Sequence, residues 1–339
     1  MTIDLRSDTL TKPTPEMLEA MFSAAVGDDV FDDDPTVNTL QEKVARLFGK
    51  DAALFCPSGT MTNQMAIRAL TEPQDEVICD KKSHIYNYEG GGLAYNSLVS
   101  VRLVDGNRGR INVDQIEENI NADNNHFPKT SLVSIENTVN KGGGSYYTLK
   151  DVSEISKFCR ANDLTLHLDG ARLFNALVET NEKPHEWGSY FDTISVCFSK
   201  GLGAPVGSVL IGDDSIIKKA KRIRKVLGGG MRQAGYLAAA CTYALDNHVN
   251  RLTEDHKRAK NISEIFSTLN FVEELLPVDT NIVIIRVDHK ISHNFLQGLI
   301  DQGVLGVPFG KDHFRFVTYL GIDDDMIIEF RKRLKKIRF

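Results

Sequence analysis

Short apolar runs alternate with amphipathic stretches through the first two thirds of the chain. Seven runs are apolar on consecutive positions, as expected for strands that are buried on both faces of a sheet. They are AALFCP, DEVICD, SLVSVRLV, TSLVSIEN, LTLHLD, TISVCFS and GSVLIG, and helical stretches such as MTNQMAIRAL and LKDVSEISKFCRAND lie between several of them. The pattern predicts an α/β domain with a mostly parallel sheet flanked by helices.

The two ends of the chain differ from this central part. A short polar arm opens it, followed by two predicted helices, PTPEMLEAMFSAA and TVNTLQEKVARLFG, the second with a C-cap at Gly49. A basic helical segment covers residues 216–247, and FVEELLPVDTNIVIIRV and FRFVTYL predict further strands before a closing helix, DDDMIIEFRKRLKKIRF. We expect an N-terminal arm at 1–13, a large domain at 14–248 and a smaller C-terminal α+β domain at 249–339.

Composition and charge exclude several classes of function. The 40 Lys and Arg against 46 Asp and Glu give a net charge of −6, which argues against nucleic acid or an anionic membrane as partner. The sequence contains neither a signal peptide nor an apolar run long enough to span a bilayer. The five cysteines are widely spaced without a CxxC pair, which is typical of reduced thiols. We therefore expect a cytoplasmic protein.

Two charged residues follow predicted buried strands. Asp169 ends LTLHLD, and Lys200 follows TISVCFS after about one helical crossover, so both are expected at the carboxyl edge of one sheet. A lysine in such a place is costly without a partner or a covalent role, and desolvation makes its amine a Schiff-base nucleophile. A lysine for the aldehyde and a carboxylate for the pyridine nitrogen are what pyridoxal phosphate (PLP) requires. A helix N-cap for Asp169 and a surface lysine are the plainer alternatives.

A third element fits a phosphate group. In CPSGTMTNQ a strand runs into a helix whose first residues, Ser58, Gly59 and Thr60, offer hydroxyls and backbone amides. Ser58 and Thr60 could equally be plain N-caps. Arg232, in the glycine-rich GGGMRQ, could also serve a phosphate.

Histidines and arginines supply further candidates. His84 follows DEVICD and could stack on a ring or move protons, whereas a loop residue is the better interpretation of His126 and a core residue that of His167. No two histidines have metal-ligand spacing on a helix, so we predict no catalytic metal. Arg172 and Arg315 could bind a substrate carboxylate through a bidentate fork.

At this point the motifs resemble a known family. The chain is similar nearly end to end to the low-specificity L-threonine aldolases, in the β-eliminating lyase group of fold-type I PLP-dependent enzymes. The motifs that carry the resemblance are DLRSDTLTKPT, GDDVFDDDPTVN, FCPSGTMTNQ, HIYNYEGGG, SIENTVNKGGG, HLDGARLFNA, SVCFSKGLGAPVGS, GGGMRQAGYLAAA and FRFVTYL. Their order along the chain is specific, whereas no single motif among them is.

The resemblance implies a role for each candidate. Lys200 binds PLP covalently, Asp169 pairs with the pyridine nitrogen, and His84 stacks on the ring. The phosphate is held by Gly59 and Thr60, and by Arg232 of a neighbouring subunit, because family members are homotetramers with sites at dimer interfaces. The carboxylate of the amino acid is bound by Ser7, Arg172 and Arg315, with Arg172 also beside the cofactor, and His126 lies near the substrate hydroxyl.

The implied activity is retro-aldol cleavage of L-threonine, L-allo-threonine and related β-hydroxy-α-amino acids to glycine and an aldehyde. His84, His126 or a water remain alternatives for the general base. Another β-eliminating lyase or an amino-acid racemase is the enzyme alternative, and a catalytically silent binding protein or a nucleotide-binding α/β protein would be a different class. This chain departs from the family pattern at Phe31 with Asp32, at Val139 and at Tyr319. These departures bear on substrate preference and turnover.

Overall fold

The computed structural model describes residues 2–337. Its strands are β1 Ile3–Asp4, β2 Ala52–Cys56, β3 Glu76–Asp80, β4 Ser100–Val104, β5 Thr130–Glu136, β6 Thr165–Gly170, β7 Thr193–Cys197, β8 Ser208–Gly212, β9 Val272–Leu275, β10 Ile282–Val287, β11 Val304–Leu305, β12 Val307–Pro308 and β13 His313–Val317. Its α-helices are α1 Pro15–Phe22, α2 Pro35–Phe48, α3 Gly59–Leu70, α4 His84–Asn87, α5 Val113–Glu117, α6 Leu149–Ala161, α7 Leu173–Thr180, α8 Pro184–Gly188, α9 Asp214–Val226, α10 Gly235–Asn247, α11 Leu252–Ser267, α12 Ser292–Asp301 and α13 Asp324–Leu334.

The central feature is a seven-stranded sheet with the order β2-β8-β7-β6-β5-β3-β4. All seven predicted strands are present, and their neighbours pair in parallel except at β8, which is antiparallel to both β2 and β7. Strands β3, β5, β7 and β8 are buried along their whole length, whereas the edge strand β4 is partly exposed. The prediction of a mostly parallel sheet covered by helices is confirmed.

Helix ends follow the local sequence. Asp34 caps α2 by accepting hydrogen bonds from the amides of Thr36 and Val37, and Gly49 ends it with a φ of 62°, as predicted. The predicted helical segment 216–247 consists of two helices, α9 and α10, because Gly228 at a φ of 76° cannot continue a right-handed helix. The closing helix ends at Leu334, and residues 338 and 339 lie outside the described part of the chain.

A second, antiparallel sheet follows in the C-terminal part, with the order β12-β13-β10-β9. Its apolar core includes Phe266, Phe316 and Phe330 together with Ile3 and Leu5 from the other end of the chain. β1 pairs in parallel with β11 in a separate two-stranded sheet, and the Leu5 carbonyl accepts from the amide of Val317 on β13, which ties the N-terminal arm to the four-stranded sheet. The boundaries at 13/14 and 248/249 stay a prediction.

None of the helices described within residues 2–337 combines the length and the apolar character needed to span a membrane. All five cysteines are buried as free thiols. For Cys56 and Cys79, burial raises the pKa to about 12, so these two thiols are uncharged at neutral pH.

The anchoring of the arm gives a stability prediction. Leu5 is fully buried, and its carbonyl accepts a hydrogen bond from the Val317 amide at 2.8 Å. Leu5→Ala should lower the free energy of unfolding by about 2–5 kcal/mol, because it leaves a cavity in an apolar core. Leu10→Ala, at a position that is 37% exposed, is the control and should cost much less. Urea unfolding followed by circular dichroism measures both, and equal losses would contradict the buried anchor.

Candidate active site

The predicted site residues Asp169 and Lys200 both follow strands at the carboxyl edge of the large sheet. β6 and β7 are parallel neighbours, with Asp169 of β6 paired in register with Ser195 of β7. Lys200 comes three residues after the end of β7 and is partly buried. It lies in a turn in which the carbonyl of Lys200 accepts a hydrogen bond from the Gly203 amide at 2.9 Å. The strand pairing therefore brings Asp169 and the Lys200 turn to the same sheet edge, as the sequence predicts.

Asp169 is held by a hydrogen-bond network that the sequence did not reveal. Asn63, on the buried face of α3, donates from Nδ2 to Asp169 Oδ2 at 3.0 Å and to Glu89 Oε1 at 2.9 Å. The Asn63 Oδ1 lies 3.1 Å from Nε2 of His167, whose Nδ1 lies 2.8 Å from Thr193 Oγ1. Burial lowers the pKa of His167 to about 4, so this imidazole is neutral. His167 is a satisfied core residue that orients Asn63.

His84 lies beside this network at the start of α4. Its Nδ1 is 2.9 Å from Oε1 of Glu89, whose side chain is fully buried and also accepts from Gln64 Nε2 at 2.7 Å. Burial alone would lower the pKa of His84, but the Glu89 hydrogen bond and the charge of Asp169 outweigh it and raise the pKa above its usual value. Glu89 thus favours a protonated His84 whose Nδ1 is already engaged.

His84, Glu89 and Asp169 could together approach a metal ion, since their ligand atoms lie within 4.8 Å of one another. Asn63 already donates to both carboxylates, so the cluster is also complete as a hydrogen-bond network. The absence of a catalytic metal stays a prediction.

The N-terminus of α3 has the features of a phosphate site. Ser58 is its N-cap and accepts from the Met61 amide at 3.2 Å, which leaves the amides of Gly59 and Thr60 without an acceptor among residues 2–337. A Cβ at residue 59 would lie 2.5 Å from Cys197 Sγ, so glycine is required for the helix to begin this close to β7. Free amides and the positive end of the helix dipole suit a phosphate dianion.

Arg172 does not present an open fork. Its Nε and Nη2 donate to the two oxygens of Asp8, each at 2.7 Å, and both side chains are buried. Asn281 also donates to Asp8 at 3.2 Å. Burial alone would raise the pKa of Asp8, but the Arg172 charge outweighs it and holds the pKa below its usual range. Asp8 orients Arg172 beside the Asp169 strand, and Ser7 lies next to Asp8 as the cap of a short 3-10 turn.

Arg315, on β13, reaches the same region from the small sheet. Nη1 donates to Asn140 Oδ1 at 2.7 Å and Nη2 to the Arg6 carbonyl at 3.0 Å, while Nε is buried without a partner among residues 2–337. Burial, together with the positive charge of Arg172, lowers the pKa of Arg315 to about 10. A carboxylate placed against this guanidinium would satisfy both the hydrogen bond and the charge.

Two predicted residues stand apart from the cluster. His126 is exposed in the loop before β5, and its backbone amide donates to Asn124 Oδ1 at 3.0 Å. Arg232 is 61% exposed at its side chain and pairs with Asp28 at 2.8 Å. An exposed Arg232 is accessible to a neighbouring subunit, which is where the resemblance implies that it acts.

The donor set fits PLP. Asp169 can pair with the pyridine nitrogen, the N-terminus of α3 can bind the phosphate, and Lys200 can react with the aldehyde. Gly59 leaves open a space at the start of α3 that a Cβ would fill.

Comparisons with known proteins bear on the family and the fold of the chain. The β-eliminating lyase family model matches residues 4–290. The low-specificity L-threonine aldolase of Escherichia coli strain K12 is 44% identical over 328 residues, which is 96% of each chain. The corresponding enzyme of Candida albicans is 41% identical over 300 residues, covering 86% of this chain and 79% of that one. The structure of Leishmania major threonine aldolase superimposes with a TM-score of 0.86 at 21% identity, covering 98% and 99% of the chains.

The sheet and its structural neighbours define the class: the fold is that of the fold-type I PLP-dependent enzymes. The chain belongs to the β-eliminating lyase family, in the group of the low-specificity L-threonine aldolases.

The buried Asp8–Arg172 pair yields a second stability prediction. Asp8→Asn should lower the free energy of unfolding by about 3–5 kcal/mol at neutral pH, because it leaves a buried guanidinium without its anion. Since the folded-state pKa of Asp8 is depressed, this contribution is lost as pH falls through that lowered pKa. Asp4→Asn breaks the more exposed pair with Arg6 and should cost no more than about 1 kcal/mol. Chemical denaturation at pH 7 compares the two, and similar losses would count against a buried pair.

Proposed function

We propose that the protein is a PLP-dependent aldolase that cleaves L-threonine, L-allo-threonine and related β-hydroxy-α-amino acids to glycine and an aldehyde. The observation that carries the proposal is the pairing of β6 with β7, which places Asp169 and the Lys200 turn at one sheet edge. Identity of 44% to an L-threonine aldolase along nearly the whole chain supports the choice of substrate.

Six residues of the chain would hold the cofactor: Lys200 through its amine, Asp169 at the pyridine nitrogen, His84 against the ring, and Ser58, Gly59 and Thr60 at the phosphate. Arg172 lies beside this group, and Arg232 of a neighbouring subunit completes the phosphate site. When bound, PLP supplies the electron sink that accepts the electron pair of the breaking Cα–Cβ bond. Asn63 fixes the Asp169 carboxylate, so its orientation does not depend on the ligand.

Ser7, Arg172 and Arg315 would orient the substrate through its carboxylate, Arg172 through Nη1 because Asp8 already accepts from its Nε and Nη2. Arg172 is fixed by Asp8 and Arg315 by Asn140, so the two guanidinium groups are positioned before the substrate arrives. Holding the carboxylate would also fix the orientation of the bonds at Cα and so decide which of them breaks. The same contacts therefore set both affinity and reaction type.

A base must remove the proton of the β-hydroxyl as the Cα–Cβ bond breaks and the aldehyde leaves, and Cα then takes up a proton to give glycine. His84 is a candidate for these transfers: its raised pKa favours the protonated form, which can give a proton to Cα, whereas removal of the hydroxyl proton requires the neutral form. His126 of the exposed loop and a water molecule are the alternatives for this step.

We further propose a homotetramer with sites at dimer interfaces. Support comes from the exposure of Arg232 and of Phe31, whose side chains lie 6.0 Å apart on one surface. When a partner subunit covers this surface, Arg232 of one subunit would approach the phosphate site of the other. The cytoplasmic location stays a prediction from composition.

Product analysis tests the reaction type. Incubation of the PLP-loaded protein with L-threonine or L-allo-threonine should release glycine and acetaldehyde in equal amounts, measured by chromatography and by an aldehyde-coupled reductase. An amino-acid control without a β-hydroxyl group, L-alanine, should release no aldehyde. Formation of a 2-oxo acid and ammonia would instead show a β-eliminating lyase, and loss of optical activity alone a racemase.

Removal of the proposed lysine tests the cofactor assignment. Lys200→Ala should lose the visible absorbance of lysine-bound PLP and at least about a thousandfold in kcat, because the covalent attachment is removed. Lys332→Ala, an exposed lysine of α13, should retain both. If the Lys200→Ala protein keeps the visible band, another lysine carries the cofactor.

A further inference from the structure

Glu136 is a buried carboxylate whose role the proposed reaction leaves open. It ends β5, in register with Asp169 of the neighbouring strand. Its Oε2 accepts from the His84 amide at 2.8 Å, and its Oε1 accepts from the Asn140 amide at 2.8 Å. Burial and the Asp169 charge raise the pKa of Glu136 to about 7. A buried acid of this kind is costly, so its two contacts call for a functional explanation.

The first contact fixes the start of α4. His84 is the first residue of this one-turn helix, and its N-cap residue, Ser83, makes no side-chain capping bond within the described part of the chain. Glu136 takes the place of that cap from a neighbouring strand. The backbone position of His84, and hence the place of its imidazole against Glu89, depends on this carboxylate.

The second contact acts through one further residue. The backbone amide of Asn140 donates to Glu136, and the side-chain Oδ1 of Asn140 accepts from Arg315 Nη1 at 2.7 Å. Arg315 comes from β13, in the C-terminal sheet. One carboxylate thus connects the imidazole of the large sheet with the guanidinium of the small one.

We propose that Glu136 is a positioning residue, which fixes His84 through the His84 backbone amide and Arg315 through Asn140. It thereby keeps the group that moves protons and the group that binds the carboxylate at a constant position relative to each other. The inference rests on the proposed function for the roles of His84 and Arg315. The hydrogen bonds that Glu136 makes can be tested without it.

The kinetic test compares three variants of the PLP-loaded enzyme with L-threonine as substrate. Glu136→Gln should raise KM about tenfold or more and also lower kcat, because an amide cannot accept from both backbone N–H groups. Asn140→Ala should raise KM by a similar factor but lower kcat less than Glu136→Gln does, since it releases Arg315 alone. Glu76→Gln is the control: Glu76 is equally buried but begins β3, at the opposite edge of the sheet, and pairs with Arg102.

A second measurement does not depend on turnover. Hydrogen exchange followed by mass spectrometry should show faster exchange in Glu136→Gln within 84–88 and 138–142, with the strands β6 and β7 unchanged. Asn140→Ala, which retains the backbone amide, should leave exchange at 84–88 as in wild type.

The outcomes separate the two hypotheses. Kinetic constants of Glu136→Gln that match those of Glu76→Gln, or unchanged exchange in both segments, would overturn the role of Glu136. If Glu136→Gln does not fold, a normal KM for Asn140→Ala would overturn it equally. A wild-type protein that releases no aldehyde refutes the proposed function, and the exchange comparison then still decides whether Glu136 fixes the two segments.

Discussion

The ion pair between Asp8 and Arg172 is the contact on which the arrangement of the site depends. It joins the N-terminal arm to the residue before α7, at the carboxyl edge of the large sheet, while Asn281 adds a donor from the small sheet. Three parts of the chain therefore meet at one carboxylate. Because both charges are buried, removing either one alone carries a large cost in stability, and the pair therefore anchors the arm.

Around this pair the site is assembled from buried polar groups that satisfy one another. Asn63 bridges Asp169, Glu89 and His167, and Glu89 in turn contacts His84. Such a network is rigid only when each member has its partner, since an unpaired buried group costs more than a hydrogen bond gains. The polar residues Asn63 and Gln64 on α3 are buried, and this requirement explains them.

The sequence predicted the strands, the carboxyl edge and the lysine–aspartate pair because each rests on a local pattern: an apolar run that ends in a charge. Asn63 and Gln64 could not be found in this way, since they lie inside a helical stretch and become site residues only when α3 packs on β6 and β7. Glu136 carried the same signal as Asp169, a carboxylate at the end of a buried strand, and was missed because no cofactor group calls for it. Asp8 and Arg172 are 164 residues apart, and sequence spacing cannot reveal such a contact.

The order of the strands in the large sheet has a consequence for folding during synthesis of the chain. β2, which leads into α3, pairs with β8, so Cys56 can pair with Ser208 only after the five intervening strands have been synthesised. The N-terminal arm stays unpaired for longer than β2, because Ile3 pairs with Val304. At a synthesis rate of roughly 5–20 residues per second, the first strands stay unpaired for many seconds on the ribosome. Arg315 of β13 is made still later, so the proposed site is complete only when nearly the whole chain has been synthesised.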